Sequence, residues 1–230
     1  MKTSNQPRYM SLRGQVYDYL HDELMKGTLK ASQRVNLDAL AESIGVSRTP
    51  LREALIILDA EGFVTILPRS GILINTLTLE DIRNLYEIIG ALEGAVLFAA
   101  KGAMKAPAID RMATLNGDMS LALDTEDFDG FYRLNLEFHG VFLSFSKNPA
   151  LLRSIDLAKR RLYDFPKKKG LLTEWERASI QEHARIVDFL KIGDFRAAAE
   201  YVRDIHWSFE VQEHFIQRYY EFPGQLPRAQ

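Results

Sequence analysis

"LDALAESIGVSRTPLREALIILDAEGFVTILPRSG", residues 37–71, is the stretch from which the fold can be read. Leu37, Leu40, Ala41 and Ile44 recur at helical spacing, and Gly45, free to enter φ > 0, ends that short helix in a tight turn. A second helix restarts at once, with Thr49 as its cap and Pro50 at the first helical position, where a missing N–H costs nothing. Leu51, Ala54, Leu55 and Leu58 form its buried face, which leaves Arg48, Thr49 and Arg52 near the exposed N-terminal end. Two short helices joined by a Gly turn make a helix-turn-helix, whose second helix presents its first residues to base edges in the major groove. After Gly62, "FVTIL", the turn "PRSG" and "ILI" read as a β-hairpin, the wing of a winged helix.

Upstream, residues 12–26 form an amphipathic scaffold helix with Val16, Tyr19, Leu20 and Leu24 toward the core and Gly27 at its end; "TLKASQRVN" reads as a loop. The stretch "LAESIGVSRTPLREALIILDAEGFVTILPRSG", within a match that runs over residues 12–74, closely resembles the GntR family of bacterial repressors. That resemblance implies that Arg34, Ser47, Arg48, Thr49 and Arg52 contact double-stranded operator DNA, with Ser70 and Gly71 contributing from the wing. Ser32 departs from the family pattern, which has glycine there, and the departure bears on local turn geometry.

The 230 residues hold one large domain or two ordinary ones, and a 47% hydrophobic content is ample for packed cores. The absence of cysteine excludes disulfides and thiolate metal sites. "MKTSNQPRYM" lacks the apolar stretch of a secretory signal, and the most apolar later run is interrupted by Glu93, so no membrane association and a cytoplasmic location are expected. Net charge is −2; residues 1–76 carry nine Lys/Arg against eight Asp/Glu, leaving 20 against 23 for the rest. Affinity for DNA must therefore come from local placement: Arg34, Arg48, Arg52 and Arg69 have to gather on one side while Glu53, Asp59 and Glu61 point elsewhere.

"NTLTLED" marks a boundary, which gives a winged helix-turn-helix domain over residues 1–76 and an all-α domain over residues 77–230. Thr78 and Asp81 resemble a capping box opening a long helix to about Ala103, with Leu85, Ile88, Ile89, Leu92, Ala95, Val96 and Ala99 as its apolar stripe. Further helices run from Pro107 to about Leu123, from "DTEDFDG" to near Ser146, from Pro149 to about Tyr163, from about Glu174 to Lys191, and from Asp194 to Tyr220 after "IGD". "FPKKKG" reads as a solvated basic turn and "FPGQLPRAQ" as a frayed tail. The fold class expected is mainly α: a winged helix followed by an antiparallel helical bundle.

Asn135 and His139, four apart, share one helix face. His183 lies ten residues before Gly193 and His206 thirteen after it, so at ~1.5 Å per residue both sit about 15 to 20 Å from that turn and face each other across it. Three imidazoles and an amide oxygen suit zinc, nickel or manganese, although a His on an apolar helix is also a common hydrogen-bonded core residue. "LYEIIGALEGAVLFAA", "LNLEFHGVFL" and "EHARIVDFLKIGDFRAAAEYVRDIH" resemble the FCD effector domain of FadR-type regulators over residues 77–218, which implies that the all-α domain over residues 77–230 is the effector-binding and dimerisation domain. The resemblance implies a divalent metal held by Asn135, His139, His183 and His206 and a small carboxylate effector on its open positions; His214 is the substitute ligand, and His21 has no evident role. Asn135 stands where aspartate is more usual, and Ile89 where the family often carries an arginine that could clamp a carboxylate. Arg133 or Arg185, and beyond them Arg160 or Arg161, are the alternatives for that clamp.

The leading functional reading is a ligand-responsive transcription repressor acting as a homodimer on a palindromic operator, because one recognition helix reads only a half-site. A metal-dependent hydrolase with a three-His site is the competing enzyme reading, without a Glu or Asp marked as its base. An RNA or protein adaptor built on the winged helix is the third.

Overall fold

A computed structural model describes residues 11–30, 32–68, 70–163 and 173–220. The protein is mainly helical and divides into a compact unit ending at Leu77 and another beginning at Thr78. Arg69, the "FPKKKG" turn and the "FPGQLPRAQ" tail lie outside the described residues.

In the first unit, α1 (Leu12–Met25) packs on α3 (Arg48–Ala60), with α2 (Leu37–Ile44) before it and the strands β2 (Val64–Leu67) and β3 (Gly71–Ile74) after it. Gly45 takes φ +69° at the α2 C-terminus, which turns the chain sharply into α3. The core is Val16, Leu20, Leu24, Leu51, Leu55, Leu58, Phe63 and Ile72; Tyr19, expected inside α1, is 48% exposed instead. Recognition helix α3 begins earlier than Thr49 and Pro50 suggested: Arg48 is its first residue and Ser47 its N-cap, without a side-chain cap bond. Pro50 is tolerated as the third residue because the N–H groups of a first turn have no intrahelical acceptor.

The segment expected as a loop contains a strand, β1 (Arg34–Val35), and the sheet order is β1-β3-β2, antiparallel throughout. Arg34 pairs with Leu73 and Val35 with Ile72. Ser32 sits at φ +62°, a backbone region that glycine enters freely and serine at a cost, and its N–H donates to the Ile74 carbonyl at 2.9 Å. Glycine would adopt this backbone without that cost, and here the serine is held in it with a backbone hydrogen bond at the sheet edge.

The second unit is a helical bundle: α4 (Leu79–Ala99), α5 (Ala106–Asp124), α6 (Phe128–Leu143), α7 (Pro149–Tyr163), α8 (Thr173–Lys191), α9 (Phe195–Tyr201) and α10 (Phe209–Tyr219). Thr78 and Asp81 form the reciprocal capping box that starts α4. That helix buries Ile82, Leu85, Ile89, Val96 and Leu97, whereas Ile88, Ala95 and Ala99, expected on the core stripe, are exposed. Gly90 and Gly94 let α4 approach its neighbours closely, since a Cβ on Gly90 would come within 2.9 Å of the Trp207 Cβ.

The expected continuous helix from Asp194 to Tyr220 is interrupted. After α9 the chain widens into a π-helical turn, Val202–His206, and Ser208 caps a new helix by accepting from the Val211 N–H at 3.4 Å. No proline marks this break, and hydrophobic spacing alone does not register a one-residue widening. Such turns are frequent at functional sites, and this one ends on His206.

Candidate metal centre and DNA-reading surface

Four elements converge in the helical unit: α6 carries Asn135 and His139, α8 carries His183, the π turn ends on His206, and α4 contributes Glu93 from behind. Imidazole ring centroids lie 5.2 Å apart for His139 and His183, 5.2 Å for His139 and His206, and 4.8 Å for His183 and His206. One nitrogen from each of the three falls within 4.8 Å of the others, near enough for a single ion to gather them.

Two of the rings are oriented by carboxylates. Nδ1 of His139 meets Glu93 Oε2 at 2.9 Å, and Nδ1 of His206 meets Glu182 Oε2 at 2.7 Å. Glu93 is completely buried and also receives the Trp207 indole N–H at 2.8 Å and the Lys159 ammonium at 2.5 Å. Glu182 accepts from Gln212 Nε2 at 2.8 Å, and Gln212 Oε1 in turn accepts from the Trp175 indole at 2.8 Å. With Nδ1 committed as donor, Nε2 of each ring is left as a lone pair facing away from its carboxylate, the arrangement that outer carboxylates impose on metal-binding histidines.

His183 has no such partner. It is fully buried, stacked on Phe138 at 4.0 Å, and both its ring nitrogens lack a hydrogen bond, as do the buried Asn135 Oδ1 and His139 Nε2. Buried polar atoms without partners cost about 1 to 3 kcal/mol each, so a cluster of them in one place implies a group that satisfies them together. Burial pushes the His139 imidazole down to about 4 against the opposing pull of Glu93, and burial holds His183 well below its ordinary value. For Glu93, burial opposes ionisation, but His139 and Lys159 outweigh it and keep the carboxyl below the usual carboxylate range. Neutral imidazoles beside unpartnered lone pairs fit a divalent metal.

The clamp residues fare differently. Arg133 is exposed on α6 and pairs with Glu137 at 3.0 Å, while Arg185 is exposed on α8 with its guanidinium 4.9 Å from the Phe189 ring. Arg160 pairs with Asp156 at the surface. The cation buried next to the cluster is Lys159, which sequence reading passed over together with Glu182, Gln212 and Trp207. Glu93 left a signal, an acidic residue inside an apolar helix, but was read only as an interruption. His214 is exposed against Phe215 and stays outside the cluster; His21 packs edge-on against Phe63 in the winged unit.

On the winged unit Ser47, Arg48, Thr49 and Arg52 are all exposed on the opening turns of α3, Arg34 is exposed on β1, and Ser70 is exposed in the wing turn. Gly71 has a structural reason of its own: at φ +94° it opens β3, and a Cβ there would collide with the Val35 carbonyl oxygen at 2.1 Å. Asp59 and Glu61 are tied down near the opposite end of α3, accepting from the Ile66 N–H at 2.9 Å and the Tyr17 hydroxyl at 2.5 Å. An acid that sequence reading did not weigh, Asp38, pairs with Arg48 at 2.7 Å.

Comparison with known proteins adds to this geometry. Residues 12–74 match the family model of bacterial regulatory proteins of the gntR family, and residues 84–206 match that of the FCD domain. Over 191 residues the chain is 29% identical to YdhC, an uncharacterized HTH-type transcriptional regulator of Bacillus subtilis, covering 82% of this chain and 84% of that one. Identity to the Nta operon transcriptional regulator of Aminobacter aminovorans is 29% over 192 residues, covering 82% and 85%. A solved GntR-type regulator from Rhodococcus sp. RHA1 superposes with a TM-score of 0.63 at 21% identity over 90% of this chain and 97% of that one, which supports the fold.

Proposed function

Because the chain belongs to the gntR family of bacterial regulatory proteins and carries an FCD domain, we propose that its winged unit binds operator DNA under the control of a small carboxylate bound at the three-histidine centre. The coarser statement stands on family membership: this is a DNA-binding transcriptional regulator and not an enzyme. The rest is our reading: a cytoplasmic repressor, active as a homodimer on a palindromic operator, with its effector held at a divalent ion.

The observation that carries it is the pairing of one wholly buried, unpartnered imidazole, His183, with two others, His139 and His206, whose free nitrogens face it and whose far nitrogens are held by carboxylates. Asn135, His139, His183 and His206 would hold the ion, and a zinc, nickel or manganese ion there supplies a fixed positive centre with positions open to a ligand oxygen. Asn135 contributes a neutral oxygen, so the donor set leaves the positive charge uncompensated and favours an anionic ligand. Glu93 and Glu182 fix the two imidazoles in the binding tautomer, and Lys159 neutralises Glu93 in the dry interior. Both carboxylates are engaged in this way, so neither is free as the base that a hydrolase would need.

Bound effector alters DNA affinity only by favouring one arrangement of the reading heads over another, and residues 74–78 are the segment through which that difference passes. Reciprocity then requires operator DNA to change effector affinity by the same factor. Calorimetric titration of small carboxylates into free and operator-bound protein tests this; identical constants in both states would rule the coupling out.

A further inference from the structure

The two carboxylates behind the histidines are held by different means. Glu93 meets the Lys159 ammonium and the Trp207 indole N–H directly, so a charge and a donor fix it from within the core. Glu182 is partly buried on α8, and among the described residues no lysine or arginine forms an ion pair with it. What holds it instead is a neutral side chain, Gln212, from α10, a helix that carries none of Asn135, His139, His183 and His206. Gln212 is 2% exposed and lies on the buried face of α10 with Phe209, Phe215 and Ile216.

A primary amide has an accepting end and a donating end, and in a buried position the wrong way round leaves both unsatisfied. The surroundings of Gln212 permit one orientation. The Trp175 indole N–H can only donate, and its Nε1 lies 2.8 Å from Oε1 of the amide. The Glu182 carboxylate and the Ile205 carbonyl accept, and they lie 2.8 Å and 3.4 Å from Nε2. Turned over, the amide would set its oxygen against the carboxylate and its N–H against the indole N–H. Trp175 is itself placed by packing, stacked on Phe215 at 5.7 Å and edge-on to Tyr219 at 5.3 Å.

The contacts thus run in order from Trp175 through Gln212 and Glu182 to Nδ1 of His206, the last link at 2.7 Å. With Oε1 of Glu182 taken by Gln212, Oε2 is turned to the imidazole, and the Nε2 lone pair of His206 is left for an ion. We propose that Gln212 is a positioning residue of the metal centre, acting on His206 through Glu182, and that Trp175 sets the orientation of its amide. Helix α10 thereby belongs to the centre without contributing a ligand. This rests on the three-histidine centre proposed above and adds to it the residues that aim His206.

The test is the zinc affinity of the full chain, by competition with a chelator, for wild type, Gln212→Met, Glu182→Ala and the double variant, with the helical circular dichroism of each. Gln212→Met keeps length and volume but removes the amide, and should weaken zinc binding on the order of tenfold. Once Glu182→Ala has removed the link, the same change should cost about threefold or less. A residue that merely packs would lower affinity by the same factor in both backgrounds, and that result overturns the proposal. If Gln212→Met loses its helical signal, Trp175→Phe takes its place in the same cycle, since it keeps the ring stacking and removes only the N–H. It should weaken zinc binding several-fold with Glu182 present and leave it unchanged with Glu182→Ala; no effect in either background overturns the proposal. A wild type that binds zinc no better than Gln212→Met overturns the role of Gln212 and leaves the centre standing. A wild type that binds no zinc overturns both.

Discussion

In the winged unit Arg48, Thr49 and Arg52 stand exposed on the opening turns of one helix, whereas in the helical unit His139, His183 and His206 come together from two helices and a π turn. The surface groups are already solvated, so on the proposed reading each would meet DNA at little cost and its removal would be felt mainly on binding. The interior groups are stripped of water and left with open lone pairs, so each bears on both stability and binding. A surface reader can thus vary residue by residue, while an interior centre must be kept as a set.

The sharpest way to break that contrast is His183→Ala. It should lower metal affinity by on the order of a thousandfold or more, since a three-imidazole site then keeps only two nitrogens, and it should leave the helical fold intact. Retained metal at wild-type affinity, measured by competition with a chelator, would place the ion elsewhere. Glu93→Gln comes next. Loss of the carboxylate behind His139 should weaken metal binding by about 10 to 100-fold and, by leaving Lys159 buried without its counter-charge, destabilise the fold by about 3 to 5 kcal/mol. Glu182→Gln, whose partner His206 lies nearer solvent, should show the metal effect with a smaller loss of stability. Equal melting temperatures for Glu93→Gln and wild type would mean that the buried network is not under strain.

On the surface side Arg52→Ala should cost about 1 to 3 kcal/mol of specific operator binding if the side chain reads a base, with non-specific binding reduced less. Asp38→Ala should act oppositely and weakly, because it frees Arg48 from an exposed ion pair. Mobility shifts on operator and random duplex separate the two effects. Equal losses on both duplexes for Arg52→Ala would reduce it to a phosphate contact.

Acidity offers a gentler probe of the interior. His139 and His183 are held neutral when folded but take up protons near 6.5 once unfolded, so between that value and about 4 the unfolded chain binds more protons. Stability of the metal-free protein should therefore be complete above pH 6.5 and decline as pH falls toward 4. His183→Phe should flatten the decline. Denaturant midpoints across that range provide the measurement, and a flat profile for wild type would mean that the imidazoles are not buried neutral.

Legibility in the sequence followed the same division. The helix-turn-helix was readable because its signals are local: Gly45 sits where the turn needs φ > 0, and Leu51, Ala54, Leu55 and Leu58 mark the buried face of α3. The three histidines were found because two of them lie at comparable distances from one turn. What escaped was whatever depends on contacts between distant segments. β1 is two residues long and exists only by pairing with β3. Glu93, Lys159 and Trp207 meet from three separate elements, and the π turn that delivers His206 carries no proline or glycine. The outer face of α4 was merged with its core face because both are apolar, and only exposure separates them.

The most direct test of the three-histidine centre is elemental analysis of the purified full chain after incubation with excess zinc, nickel or manganese and removal of free ion, with His183→Ala in parallel. Wild type should retain roughly one ion per chain and His183→Ala next to none, with the same helical circular dichroism in both. A wild type that stays metal-free, together with a His183→Ala variant that unfolds, would contradict the account and make the three imidazoles packing residues of the core.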